Sequence, residues 1–462
     1  ITAAANGSPG IVNAADYGLD ASATDGTNVT AINAAITALG TNGGTIFFPG
    51  GMFYLNATIS LGASNNSIRF VGTGQQNYGG GGDSGGTVLR RDENDEFFNI
   101  TSSRAIHFVG ITFKGGSASS SGGNDGVSGG NGAITVTANA GCQGHLYENL
   151  VFYGIKNCLH FMGLSDSIVR GCRFRHPPTD QGTGAFITLS SNPVNMNPTA
   201  DPQPAGHEKM DQIRISDCVG DGYIGTGTDE YNDKVDGIFI RGYSNTLFIT
   251  NTSMIRLNRS YYTDTTFCGE FLYFQNCESE RASGSAGFLF DSSTTYNPKG
   301  NFITLDNCFS CTHGGDSGGA GHGIQLSTSL DASVNITNCN VRDNKGHGIL
   351  VDNQGGNTSI VNPICCGNSK GSTGTNHGIT IGDGINDVYI AGGRCGGNAT
   401  MTGSGTQYYG IFVSGNAHSN IRIIGTNVTG NHNSSDGINM SISSGTGNKV
   451  SLNSGSSVSF NT

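Results

Sequence analysis

The chain has 462 residues, a charged fraction of only 12%, a formal net charge of −11, 75 glycines and no tryptophan. It contains no run of Lys or Arg, which excludes a surface built for nucleic acid or an anionic membrane and leaves a neutral or weakly charged polymer as the easier partner. No apolar stretch is long enough for a membrane span, and returning β-branched segments such as "NFITL", "VNITN" and "GIFVS" argue against disorder.

In chain order, the first element is a helix. "TNVTAINAAITALG" (27–40) carries apolar residues at helical spacing and ends on Gly40. It is expected to cap the open edge of the strands that follow, so residues 1–60 read as an N-terminal cap with the first strands. From 61 to 462 the sequence reads as one repeat array.

Its clearest signal is His-Gly-Ile, which recurs as "HGIQL" (322–326), "HGILV" (347–351) and "HGITI" (377–381). Glycines opening such strands form a column: Gly237, Gly287, Gly323, Gly348, Gly378, Gly410 and Gly437, with Ser260 filling the widest gap. A second column holds Cys172, Cys218, Cys277, Cys308 and Cys339, each after a polar or glycine residue, with Thr252 in the same place. One column of small apolar groups predicts stacked, reduced thiols inside a solenoid, with a disulfide considered only for Cys365 with Cys395. Asn149, Asn251, Asn276, Asn307 and Asn338 should form a hydrogen-bonded ladder at the bend.

Three short strands per turn, with no helical period between them, predict an all-β chain wound as a parallel β-helix. "NAADYGLDASATDG", the helix, "GGTIFFPGGMFYL" and "IRFVGTG" together resemble the opening of the pectate-lyase-like right-handed parallel β-helix superfamily, which includes phage tailspikes and secreted polysaccharide-degrading enzymes. With the later repeats, the likeness covers nearly the whole chain. It implies an extracellular setting, secreted or on a virion surface, and a polysaccharide as partner. The carboxyl end stops in repeat-like sequence, so a homotrimer or a module of a longer chain is expected.

Alternation in "DGIFIRG" puts Ile238 and Ile240 inside, with Phe239 and Arg241 outside. Extending that register gives two columns expected to be exposed. Before the strand stand Asp236, Arg259, Ala286, His322, His347, His377, Tyr409 and Asp436; at its far end stand Arg241, Asp264, Asp291, Ser327, Asp352 and Ser414. "VDGIFI" and "GHGIQL" resemble two motifs of the polygalacturonases at Asp236 and His322, but the Asp-Asp pair between them and the later Arg-Ile-Lys are absent, so galacturonan hydrolysis is not implied.

Acidic residues carry the catalytic expectation. Asp264 and Asp291 fall on adjacent turns, so their carboxylates should lie roughly 5 Å apart, the separation of a retaining glycosidase. Asp236, beside Arg259, is the third catalytic candidate. Arg241, Arg259, His322, His347, Phe239, Tyr262 and Tyr409 are the candidate substrate-binding residues; the bland reading of the histidines is a ladder under a tight turn. Two insertions, 191–210 and 225–234, should wall a groove around these groups. No cofactor is required. Calcium is the one alternative, held by Asp229, Glu230 and Asp233, whereas histidines confined to one column lack the tetrahedral closure zinc needs.

The preferred function is hydrolysis of an extracellular or cell-surface polysaccharide by paired carboxylates. The alternatives are a calcium-assisted polysaccharide lyase, a non-catalytic glycan-binding adhesin or spike, and a sugar epimerase.

Overall fold

The computed structural model describes residues 10–23, 26–74, 85–91, 96–115, 132–137, 142–175, 183–191, 210–223, 234–292, 301–314, 320–327, 330–352, 356–369, 376–396, 407–415, 418–428, 437–441, 446–451 and 458–461. Two compact units are present. The first comprises residues 1–230 and 242–248, the second 231–241 and 249–462.

In the first unit the chain cycles through three parallel sheets: Gly10–Asn13 pairs with the next strand, Gly44–Phe47, and each later strand pairs with the third one after it. Gly44–Phe47 pairs with Ile68–Val71 in one sheet, Gly51–Tyr54 with Thr87–Arg90 in another, and Ile134–Thr137 with Leu159–Met162 in the last. This is a right-handed parallel β-helix. The helix runs Thr27–Leu39 and buries Val29, Ala31, Ile32, Ala35, Ile36 and Leu39, the face its apolar spacing predicts. The core is aromatic: Phe48, Phe70, Phe108 and Tyr147 stack at centroid separations of 6.1, 4.9 and 5.9 Å, because parallel in-register strands put like on like.

The second unit repeats the plan, with Tyr261, Phe274, Phe288 and Phe290 buried in its first coils and an aliphatic core beyond them. One sheet includes Phe302–Asp306 and Ser333–Thr337; a second includes Val235–Arg241, Tyr261–Thr263, Ala286–Phe290, His322–Leu326, Ile349–Val351, Ile379–Ile381 and Ile411–Val413; a third includes Phe309–Cys311, Asn340–Arg342, Ile364–Cys366 and Arg394–Cys395. Ile238, Ile324, Ile349, Ile379 and Ile411 are fully buried along one inner row.

The repeat columns have physical causes. A Cβ on Gly348 would lie 2.5 Å from the Gly378 carbonyl oxygen, and one on Gly378 the same distance from that of Gly410, so coils touch too closely there for any side chain. At the bend, Asn251, Asn276, Asn307 and Asn338 adopt left-handed φ of 51° to 55°, a conformation Asn tolerates better than most residues. Asn276 Nδ2 donates to Asn251 Oδ1 (3.0 Å) and Asn307 Nδ2 to Asn276 Oδ1 (2.7 Å). Asn149 shares the conformation but not the ladder, since Gly171 occupies its place on the next coil.

Each column cysteine is buried and free, its thiol donating to the carbonyl two residues back: Cys277 to Gln275 at 3.5 Å and Cys339 to Thr337 at 3.4 Å. Thr252 makes the same bond through its hydroxyl, to Thr250 at 3.0 Å. Cys365 and Cys395 are in-register neighbours, buried and free.

Candidate functional site

On the second sheet of the second unit, coil-to-coil register brings distant residues together. Phe239 pairs with Tyr262, Tyr262 with Leu289, Leu289 with Gln325, Gln325 with Leu350, Leu350 with Thr380 and Thr380 with Phe412. These outward side chains form a strip about 4.8 Å per coil, flanked by the two columns read from the sequence.

The far-end column contains the carboxylates. Asp264 Oδ1 accepts from the Thr266 amide (2.8 Å) and hydroxyl (2.5 Å), while Oδ2 faces Arg241 Nε at 3.6 Å. On the next coil Asp291 is fixed by its backbone: its N–H donates to Thr263 Oγ1 (2.7 Å), whose hydroxyl donates to the Asp291 carbonyl (2.7 Å). Asp291 Oδ1 accepts from Ser292 N–H at 2.9 Å. Partial burial pushes the Asp291 carboxyl up and the charge of Asp264 adds to the rise, against hydrogen bonds from Ser292 and Ser327.

The other column is present, but its exposure differs from the expectation. Asp236 is 5% exposed. Arg259 clasps it with two bonds, Nε to Oδ1 (2.9 Å) and Nη2 to Oδ2 (2.6 Å), and Asn258 Nδ2 donates to Oδ1 at 3.0 Å. Burial pushes this carboxyl up, while the guanidinium and the amide pull it down. The Arg259 guanidinium lies 3.5 Å from the centre of the Tyr262 ring, and Phe239 lies nearly parallel to Tyr262 at 5.0 Å. One ring face of Tyr262 is therefore already covered by a cation.

The three histidines stack at 5.1 and 5.3 Å and are not an exposed column: His322 and His377 are buried and His347 is half-buried. The reason is visible in their hydrogen bonds. The backbone N–H of His347 donates to His322 Nδ1 (3.0 Å), that of His377 to His347 Nδ1 (3.0 Å), and that of Tyr409 to His377 Nδ1 (3.3 Å). Each ring is drawn onto the next coil as an acceptor, which places its proton on Nε2. Burial lowers their pKa to about 4 for His322 and His377, and to about 2 for His347, which also feels its two neighbours.

Tyr409 ends this ladder beside His377 (5.1 Å), Tyr408 (4.6 Å) and Phe412 (5.6 Å). Gln325, which sequence reasoning passed over, stands mid-strip with a buried Oε1 that has no hydrogen-bond partner. Its signal was a polar side chain between Leu289 and Leu350, in a row whose other members from Phe239 to Leu350 are Phe239 and Tyr262. Also missed was a buried amide chain, Asn344 Nδ2 to Asn368 Oδ1 (2.9 Å) and Asn368 Nδ2 to Gln407 Oε1 (3.3 Å).

The calcium candidates Asp229, Glu230 and Asp233 lie outside the described residues, as does Asp436 and all of the two insertions except Ser191, Met210 and Lys234. Among the described residues no group of three or more His, Cys, Asp or Glu is placed to hold a metal ion, and no helix is long and apolar enough to cross a membrane.

No family model matches the sequence and no curated protein matches it. Solved structures similar to it include tailspike protein 3 of bacteriophage CBA120, with a TM-score of 0.48 and 12% identity over 96% of this chain and 59% of that one. The catalytic unit of a GH87 α-1,3-glucanase from Streptomyces thermodiastaticus gives 0.47 and 14% identity over 99% of this chain and 70% of the other. The surface adhesin PfbA of Streptococcus pneumoniae gives 0.49 and 12% identity over 98% and 100%.

Proposed function

We propose that the protein depolymerises a polysaccharide lying along the second-sheet strip of the second unit, by hydrolysis, with Asp291 as proton donor and Asp264 as nucleophile. The observation that carries this reading is that the two residues occupy the same register position on adjacent coils. One coil step is about 4.8 Å, close to the separation at which a retaining glycosidase keeps its two carboxyls. The raised Asp291 carboxyl suits the acid, since it can hold its proton further toward neutral pH. Asp264 keeps Oδ2 facing Arg241 while Oδ1 is occupied by Thr266, which leaves one oxygen to attack an anomeric carbon.

Asp236 acts as a positioning residue, holding Arg259 over Tyr262 beside the carboxylates. Phe239, Arg241, Leu289, Gln325, His347 and Tyr409 line the path of the chain. The setting is extracellular, where such polymers are met, and calcium is not required for this chemistry.

A second reading, a glycan-binding surface without turnover, is favoured by the turn that ties Asp264 Oδ1 to Thr266, a purely structural use of a carboxylate. Incubation with a panel of acidic and neutral polysaccharides, following reducing ends together with absorbance of unsaturated products, separates the readings. Reducing ends without unsaturation support hydrolysis. Unsaturated products would transfer the function to a lyase, inversion of a uronate without cleavage to an epimerase, and binding without products to an adhesin.

A further inference from the structure

On the third sheet of the second unit a hollow of about 250 Å³ opens on the outer surface, apart from the strip just described. Register sets its walls. Asn340, Ile364 and Arg394 form one outward row on three successive coils, and Arg342 and Cys366 form another two residues on, while Val341, Cys365 and Cys395 between them point into the core. At the rim Gly367 has φ 65°, and a Cβ there would lie 2.8 Å from Asp343 Oδ1, so a larger residue would crowd that carboxylate.

The groups around the hollow make an unusual set. Arg342 and Arg394 both line the hollow, with one carboxylate, that of Asp343, whose Oδ2 lies 3.9 Å from Arg342 Nε, the outer limit of an ion pair. Arg342 is steadied over the Phe309 ring at 5.1 Å. Ile364 is 44% exposed between Asn340 and Arg394, although its inner-row neighbours are fully buried. The Asn340 Oδ1 is buried with no hydrogen-bond partner. A carbonyl with no bond to lose can turn about Cβ–Cγ toward the hollow and accept from a ligand there, which removes a standing desolvation cost.

We propose that this hollow is a second binding site, for an acidic sugar unit. Its carboxylate meets a guanidinium, its apolar C–H face lies on Ile364, and a ring hydroxyl donates to Asn340 Oδ1. The volume is below the range of pockets for drug-sized ligands and admits one such ring, either a free sugar acid or one unit of a polymer. The site is independent of catalysis on the second sheet.

Cys366 provides the readout, because it is the one cysteine of the twelve that is not buried. Iodoacetamide, which is uncharged, should add one carbamidomethyl group to the native chain by intact mass, and Cys366→Ser should remove it. Glucuronate at about 10 mM should slow that addition by at least about threefold, the occupancy expected of a millimolar ligand, while glucose at the same concentration should not. An oligouronide protecting at lower concentration than glucuronate assigns the site to a polymer; equal protection assigns it to the free acid. The double variant R342Q/R394Q should lose protection while still taking up one adduct, which also shows that it is folded. Absence of protection by both uronates, or equal protection by inorganic phosphate or glucose, overturns the proposal. None of these results bears on turnover at Asp264 and Asp291, so the two readings fail separately.

Discussion

In the proposed hydrolysis Asp264 and Asp291 have unequal roles, and single amides separate them. Asp291→Asn removes the proton donor and should lower turnover by about 10²–10⁴-fold, and Asp264→Asn should abolish it, with glycan binding changed little in both. Reducing-end rates alongside binding isotherms check this, and full activity in both variants would remove the pair from the mechanism. Gln325 invites an opposite-sign test. Replacing it with the similarly shaped Met removes a buried acceptor, Oε1, that has no donor, so Gln325→Met should raise the melting temperature and weaken glycan binding. Asp236 belongs to stability. Asp236→Asn leaves Arg259 half-buried without its counter-charge and should cost about 3–5 kcal/mol in urea unfolding, most of it regained when Arg259 is replaced by Met in the same chain.

At the scale of the element, the histidine ladder couples stability to pH. Unfolded histidines protonate near pH 6.5, whereas His322 and His377 in the fold do so only near 4 and His347 near 2. Between those values the unfolded chain binds more protons than the native one, so stability falls as pH drops from about 6.5 toward 4, by roughly 2–3 kcal/mol for His322 alone. Thermal melts across that window check the sign, and His347→Asn should flatten the slope; a melting temperature constant from pH 7 to 4.5 would mean that the rings are solvated. The ladder also shows what the sequence conveyed and what it did not. Columns were legible because a solenoid turns recurrence along the chain into vertical neighbours, so Asp264 beside Asp291 and His322 beneath His347 follow from counting glycines. Depth was not legible. Whether a pre-strand residue faces water depends on the next coil's backbone N–H, which pulls each imidazole inward, and on Arg259, which covers Asp236. The Asn340 hollow escaped notice for a related reason: its residues are ordinary singly and become a site only when three coils are superimposed.

For each unit taken whole, the governing fact is that a coil touches only its neighbours, so stability is a sum of coil and interface contributions with few long-range dependencies. An in-register excision should therefore be tolerated. Deleting residues 323–347 joins His322 to Gly348 and removes one complete circuit, strand for strand, with the glycine column and the inner isoleucine row still continuous from Ile324's predecessor Phe288 to Ile349. The shortened chain should keep its β circular dichroism, lose only a few degrees of melting temperature and, on the proposed function, cleave polymer more weakly because Gln325 is gone. Deleting 323–346 instead removes one residue fewer and places His347 directly after His322. That single-residue slip sends Ile349 and Val351 outward and Leu350 into the core, reversing both faces of the strand, and should abolish cooperative unfolding. Equal behaviour of the two deletions would mean that the turn before the strand takes up the extra residue, as turns do between the native strands His322–Leu326, Ile349–Val351 and Ile379–Ile381.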